Sequence, residues 1–550
     1  MSEKQDSIYE KSGSAGKKTS VLNIGTYAPD GDSDENLVRL ASPRAKGLLG
    51  LVFSRFFLIA VLLILQIAII ASLIIMFDEK LGSATTIHFI FAIVMAFYLF
   101  NKEMDSSAKM TWLFIIAMLP VGGPLFFIYT QSNIGHNKLK SAVNSSIDES
   151  KDRIPQDESV LEEIKDSPSV LGLNKYLNNS GCFPLFKNTD VQYYPVGEEM
   201  FESMLDELEK AEDFIFMEYF IVDEGYMFGK ILDILIRKAQ EGVDVRFMYD
   251  GMCEISTLPH NYPELLRRKG IKAKSYAPLK PFVSTHYNYR DHRKIMVIDG
   301  KTAFTGGINL ADEYINHIVR FGHWKDTGIM LKGEAVSSFT LMFLQMWGLR
   351  KEHRDFSRAD ISFKNENGDG YVMPFCDSPM DDDKAAENVY ISMLNTAEKY
   401  VYIHTPYLIM DDEMKSAIRL AASRGVDVRL ILPGIPDKTI PYALAKSHYK
   451  ALIRSGVKIY EYTPGFVHSK VCLSDDCKAV VGTINFDYRS LYHHFECGVF
   501  LYQTPCISDI RDDIEDNLEY CEPVTQETIK NTPLKYKIIG VLMKPFAPLM

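Results

Sequence analysis

The sequence has little cysteine, no excess of positive charge and no clustered acidic motif of the kind that holds a catalytic metal. Eight cysteines in 550 residues follow no ligand spacing, and Cys472-x4-Cys477 has no second Cys or His pair to complete a zinc site. All eight are read as reduced, which favours a cytoplasmic setting for the soluble part. A net charge of −12 argues against a chain built mainly to grip nucleic acid. It leaves room for an anionic substrate, because a pocket of Lys and His is locally positive even in an acidic protein. No metal and no cofactor are expected.

What is abundant is apolar surface, and it is unevenly spread. Residues 1–50 are polar and lack apolar periodicity, and read as a disordered tail. The segment 51–130 holds the apolar excess. Residues 56–77 carry no charge, and 22 residues of helix span about 33 Å, enough to cross a bilayer. Further apolar stretches run over 84–100 and 110–129, the last interrupted by Pro120-Val-Gly-Gly-Pro124. Pro and Gly there kink a span or shape a re-entrant loop, so two or three spans are open. Residues 131–190 are expected as a linker, 191–360 and 361–525 as two domains, and 526–550 as an amphipathic tail whose lysines interleave with apolar residues.

The two domains are expected because the chain repeats itself. Ala211-Glu-Asp-Phe-Ile-Phe-Met-Glu-Tyr is echoed by Ala397-Glu-Lys-Tyr-Val-Tyr-Ile-His, and Gly242-Val-Asp-Val-Arg246 by Gly425-Val-Asp-Val-Arg429. Strand patterns alternate with helical ones, which implies two α/β domains with largely parallel sheets.

Each repeat ends in the same chemistry. His292-x-Lys294-x4-Asp299 is followed by Gly306-Gly307-Ile308-Asn309, and His468-x-Lys470-x4-Asp475 by Gly482-Thr483-Ile484-Asn485, at an offset of 176 residues. One such His-x-Lys-x4-Asp arises by chance in roughly one chain in twenty, but two in register with a following Gly-x-Ile-Asn do not. His136-x-Lys138 and His448-x-Lys450 lack the Asp. On a strand, residues i and i+2 share a face, so each His projects with its Lys. Asp299-Gly300 signals a hairpin that brings the glycines and Asn309 back beside His292, where glycine lets a substrate approach the backbone. Two such halves face to face give two imidazoles, two ammoniums and two amides around one site.

That set suits displacement at a phosphodiester. One neutral imidazole takes the phosphoryl group, and a protonated one donates to the leaving alkoxide. Lys294, Lys470, Asn309 and Asn485 hold the nonbridging oxygens. Each imidazole needs a carboxylate to fix its tautomer, and Asp326 and Glu496 are the candidates. His493 and His494 are left as bystanders. On physical grounds Asp299 and Asp475 stabilise their turns.

These motifs resemble the phospholipase D superfamily, and within it the bacterial cardiolipin synthases. The resemblance rests on Asn288-Tyr-Arg-Asp-His-Arg-Lys, Phe304-Thr-Gly-Gly-Ile-Asn, Phe466-Val-His-Ser-Lys and Asn485-Phe-Asp-Tyr-Arg-Ser490. Thr405-Pro-Tyr407, the C-terminal Pro545-Phe-Ala-Pro-Leu-Met550 and the apolar N-terminus fit it too. It covers roughly residues 55–550. It implies two phospholipase D-like α/β domains packed face to face after N-terminal transmembrane helices. It implies transfer of a phosphatidyl group between two phosphatidylglycerol molecules at the cell membrane. It also implies His292 as nucleophile and His468 as acid, where the residues alone treat the two as near equivalent, and it places Asp299 and Asp475 in the site. Thr483 stands where Ser is commoner, and Ser474 where an apolar residue is usual. A hydrolytic phospholipase D would use the same residues with water as acceptor, and so would a superfamily nuclease, which the apolar segments disfavour. A catalytically dead scaffold should have lost a His or Lys, and none is missing. The acceptor alcohol and the oligomeric state are not legible.

Overall fold

The computed structural model describes residues 85–549 apart from short breaks at 120–121, 131–133, 182, 279–288, 350–352, 362 and 382. It also describes residues 37–41 and a few positions between 64 and 76. Most of the tail 1–50 and of the apolar stretch 56–77 therefore lies outside the described residues. The second and third apolar stretches form helices Thr85–Asn101, Ser106–Met118 and Gly122–Thr130. Among the described residues no helix is long and apolar enough to cross a membrane. The segment expected as a linker instead carries helices Ile134–Ser150, Glu158–Glu163 and Pro168–Gly181. Each buries apolar residues in the main core, Val143 from the first, Val160 from the second, and Val170, Leu173 and Leu177 along one face of the third.

Each repeat builds one α/β sheet. In the first, strand Phe214–Tyr219 is central. Asp244–Asp250 and Lys272–Tyr276 lie parallel on one side of it, and Lys294–Ile298, Thr302–Gly306, Gly328–Gly333 and Thr189–Tyr194 run antiparallel on the other. The second sheet repeats this order around Tyr400–His404, with Asp427–Pro433 and Lys458–Tyr462 parallel. Val471–Ser474, Lys478–Gly482, His494–Tyr502 and Tyr371–Asp377 are antiparallel. The expectation of largely parallel sheets is thus corrected to mixed sheets. The reason is local: the turns at Asp299-Gly300 and Asp475-Asp476, with φ of 53° to 66°, fold the chain straight back on itself.

The central strands Phe214–Tyr219 and Lys294–Ile298 are buried along their whole length, as both faces of the first sheet are covered. Phe214, Phe216, Ile295 and Val297 pack toward helix Val336–Trp347, all twelve residues of which are buried, in a core shared with the second domain. Ile215, Met217 and Met296 face the opposite way, into a core with helices Gly197–Glu209 and Tyr226–Gln240.

Candidate active site

Both histidines stand where one domain's chain crosses to pair with the other's. Arg290–Asp291 runs parallel to His494-Phe495, and the His292 N–H donates to the Phe495 carbonyl at 3.0 Å. Reciprocally, Gly465–Val467 runs parallel to His323–Lys325, and the His468 N–H donates to the Lys325 carbonyl at 2.7 Å. The residue after each paired segment is a carboxylate, Glu496 after His494-Phe495 and Asp326 after His323–Lys325. His292 Nδ1 is 2.8 Å from Glu496 Oε1, and His468 Nδ1 is 2.6 Å from Asp326 Oδ2. Each imidazole is therefore oriented by the opposite domain, and neither domain holds a complete pair.

All four groups are buried. Burial pushes the Glu496 carboxyl up, yet the charge and hydrogen bond of His292 outweigh it and hold it well below the carboxylate range. Asp326 is likewise lowered: burial raises it, and His468 and Lys470 more than reverse that. Burial drives His292 well below its ordinary value against the Glu496 charge, and brings His468 to about 4 with help from Lys470. Ionised carboxylates thus accept from neutral imidazoles at Nδ1, which leaves each Nε2 as the reactive nitrogen.

The lysines lie on the same strand faces as expected. Lys294 Nζ donates to the His292 carbonyl at 2.5 Å, and Lys470 Nζ donates to that of His468 and lies 2.9 Å from its Nδ1. Burial lowers Lys294 to about 8, and burial together with the Lys294 charge lowers Lys470 to about 7. The lysines of the two domains feel each other, so the motifs form one site. A bound phosphodiester anion would favour both charged forms, so binding takes up protons once pH exceeds these values. The apparent KM should therefore rise as pH goes from 7 to 9, while kcat under saturating substrate falls less. A pH profile of both constants checks this; a flat KM would remove the lysines from phosphate binding.

The other expected residues divide. Asn485 is buried with Oδ1 unpaired among the described residues. Asn309 is committed to the protein: Oδ1 accepts the Ile221 N–H and Nδ2 donates to the Tyr314 hydroxyl, both at 2.9 Å. Asp299 accepts the N–H groups of Glu212, Asp213 and Phe214 at the far end of its strand, and Asp475 those of Glu398, Lys399 and Tyr400. Both tie a turn to the neighbouring strand and touch neither histidine. The glycines do not clear space for substrate either: a Cβ on Gly307 would sit 1.9 Å from Asp326 Oδ1, so its absence makes room for that carboxylate.

Sequence reasoning missed several neighbours. The His494 ring is 5.3 Å from that of His292, with Nδ1 3.7 Å from Glu496 Oε1. Its place two residues before Glu496 on one strand was the available signal. The Thr483 hydroxyl donates to Glu496, so the Thr-for-Ser departure keeps a function. Phe220 packs 4.8 Å from His292, and Tyr314 and Trp324 lie 5.4 and 5.3 Å from His468. None of the three sits in a motif, so no sequence signal marked them. Among the described residues two groups of side chains, His292–His494–Glu496 and Glu387–Asp411–Glu413, are spaced closely enough for a metal ion. In the first, the carboxylate is already engaged by His292 and Thr483, and the second is bridged by Lys384.

Residues 204–347 and 390–518 match the family profile described as cardiolipin synthase, phospholipase D-like domain. A cardiolipin synthase of Alkalihalophilus pseudofirmus is 33% identical over 476 residues, covering 85% of this chain and 94% of that one. A protein of Streptococcus mutans that carries no functional name is 54% identical over 455 residues, covering 82% and 99%. Among solved structures, the phosphatidylserine synthase of Haemophilus influenzae superposes with a TM-score of 0.53 at 16% identity. It covers 69% of this chain and 97% of its own, a likeness of fold.

Proposed function

Since the chain belongs to the cardiolipin synthase family with phospholipase D-like domains, we propose that it transfers a phosphatidyl group from one phosphatidylglycerol to the headgroup of another. The products are cardiolipin and glycerol. The observation that carries this reading is the reciprocal pairing of His292 with Glu496 and of His468 with Asp326. In the first step His292 Nε2 attacks phosphorus and the bond to the headgroup oxygen breaks. The bound phosphodiester anion and the Asp326 carboxylate together favour a proton on His468 Nε2, taken up from solvent as substrate binds, and that proton releases glycerol. In the second, His468 takes the proton from the incoming glycerol hydroxyl, which attacks phosphorus and breaks the P–N bond. Lys294, Lys470 and the Asn485 amide hold the nonbridging oxygens through both steps. Asn309 braces the His468 side through Tyr314, and Asp299 and Asp475 act as turn clamps. No step needs a metal, since the ammoniums supply the positive charge.

The apolar segments 56–77, 84–100 and 110–129 are assigned as the multi-pass membrane anchor, with the catalytic domains at the cytoplasmic face. The seven described cysteines are free thiols, which supports a reducing compartment. Holding the site at a lipid surface favours an alcohol on a neighbouring lipid over water as acceptor. Purified protein given headgroup-labelled phosphatidylglycerol in micelles should give cardiolipin and free labelled glycerol, before and after exhaustive EDTA dialysis. Phosphatidic acid as the main product at every lipid density would make the enzyme a hydrolase, and loss restored by a divalent ion would put a metal in the site.

A further inference from the structure

A cavity of about 460 Å³ lies where helix Ser106–Met118, the C-terminal segment from Leu534 and the second domain meet. The C-terminus builds this seam. The Pro545 carbonyl accepts from the Thr111 hydroxyl at 2.5 Å, and Phe546 packs edge-on to Phe114 with centroids 6.3 Å apart.

The cavity wall has two characters. Met110, Phe114 and Val541 form an apolar side, and Lys415, His448, Lys544 and Asp412 a polar one. The charged groups do not cancel. Lys415 pairs with Asp412, whereas Lys544 has no carboxylate within 4 Å among the described residues, so this wall sets two ammoniums against one carboxylate. His448 is only 6% exposed, and no hydrogen bond reaches its ring among the described residues. Burial and the ammoniums of Lys544 and Lys415 lower its pKa to about 4, so at neutral pH it is an uncharged donor without an acceptor. The imidazole lines the cavity, where its N–H is free to donate to a ligand.

The chemistry of that ligand follows from the wall. Two ammoniums and an imidazole N–H suit the oxygens of a phosphodiester. The rim beside them is greasy and open: Met110 is 67% exposed, Val541 72% and Leu542 63%. A free phosphate would gain nothing from such a rim, and a divalent cation would be repelled by the ammoniums. We propose that this seam binds one anionic glycerophospholipid, its phosphodiester toward Lys544, Lys415 and His448 and its acyl chains along Met110, Phe114 and Val541. Choline headgroups would bring a third cation against Lys544, so net-negative lipids are favoured.

The site lies beyond the catalytic reading above and does not depend on it, since neither catalytic histidine lines the cavity. It is nonetheless joined to the centre. Ile409 and Tyr488 in its wall continue the strand pair Leu408–Ile409 and Phe486–Asp487, which follows directly on Asn485. The C-terminal turn also reaches inward, where Ala547 shares a buried cluster with Ile409, Leu444 and Tyr488.

The test uses full-length His292→Ala protein, which cannot turn substrate over, in phosphatidylcholine nanodiscs doped with a photoactivatable acyl-labelled phosphatidylglycerol. Peptides covering 107–114 and 541–548 should be labelled, and unlabelled phosphatidylglycerol should compete whereas phosphatidylcholine and inorganic phosphate should not. Removing both charges with Lys415→Gln and Lys544→Gln should lower this labelling about tenfold, and arginine at both positions should restore it. Labelling of peptides lining the catalytic centre should stay unchanged in both variants, which reports a native fold. The proposal fails if neither segment is labelled. It also fails if the glutamine variant labels the seam as the parent does, which would mark annular lipid. Displacement by inorganic phosphate as effective as by phosphatidylglycerol would reduce the seam to a phosphate site.

Discussion

His292→Ala and His468→Ala should each lower kcat by about 10⁴-fold or more, and the double variant should be no worse than either single one. The two residues perform different halves of one proton and phosphoryl exchange, so losing either stops both halves. Each is held by a separate parallel strand pair and a separate carboxylate. Removing one ring therefore leaves the other's setting intact, and both variants should purify folded. Activity assays on the purified single and double variants check this. Losses that multiply in the double variant, or near-normal turnover in either single one, would mean two independent sites.

Glu496→Gln and Asp326→Asn should each cost about 10³- to 10⁴-fold in kcat with little change in KM. The amide keeps the shape but presents no full negative charge to the imidazole Nδ1–H and can turn a donor toward it, which favours the wrong tautomer. Glu496 Oε2 meets both His292 Nδ1 and the Thr483 hydroxyl, so an amide there must serve both donors with its single oxygen or turn its NH2 toward them. Because each carboxylate belongs to the domain opposite its histidine, the two losses report the domain interface as well as the site. Steady-state kinetics with phosphatidylglycerol micelles measure it. A loss of under tenfold in either variant would show that the pairing does not set the tautomer.

The two histidine–lysine pairs that the fold brings together were legible because the duplication prints them twice. A strand period of two places Lys294 beside His292 and Lys470 beside His468, and the chemistry of imidazole demands carboxylates that Asp326 and Glu496 supply. The crossed pairing of those carboxylates was not legible. It depends on Arg290–Asp291 leaving its own sheet to pair with His494-Phe495, and no local pattern signals a two-residue strand. The bonds of Asn309 to Ile221 and Tyr314 were not legible for a similar reason, since those partners lie on separate elements. The α/β class followed from alternating strand and helix patterns, but strand direction did not, because tight turns at Asp299 and Asp475 reverse the chain where crossovers were assumed. Residues 134–181 read as linker because their charge masked a narrow apolar stripe.

The account rests on a covalent phosphatidyl group carried by His292 within a single composite site. Rapid acid-free quenching of the unsubstituted protein within its first turnover of acyl-labelled phosphatidylglycerol, followed by digestion and mass spectrometry, tests it most directly. Label should appear transiently on the peptide containing His292, be lost in mild acid as a phosphoramidate, be absent from the His292→Ala protein and be strongly reduced in the His468→Ala protein, which lacks the first-step acid. Label on His468 in the His292→Ala protein, or product formation with no labelled histidine at any time, would contradict it.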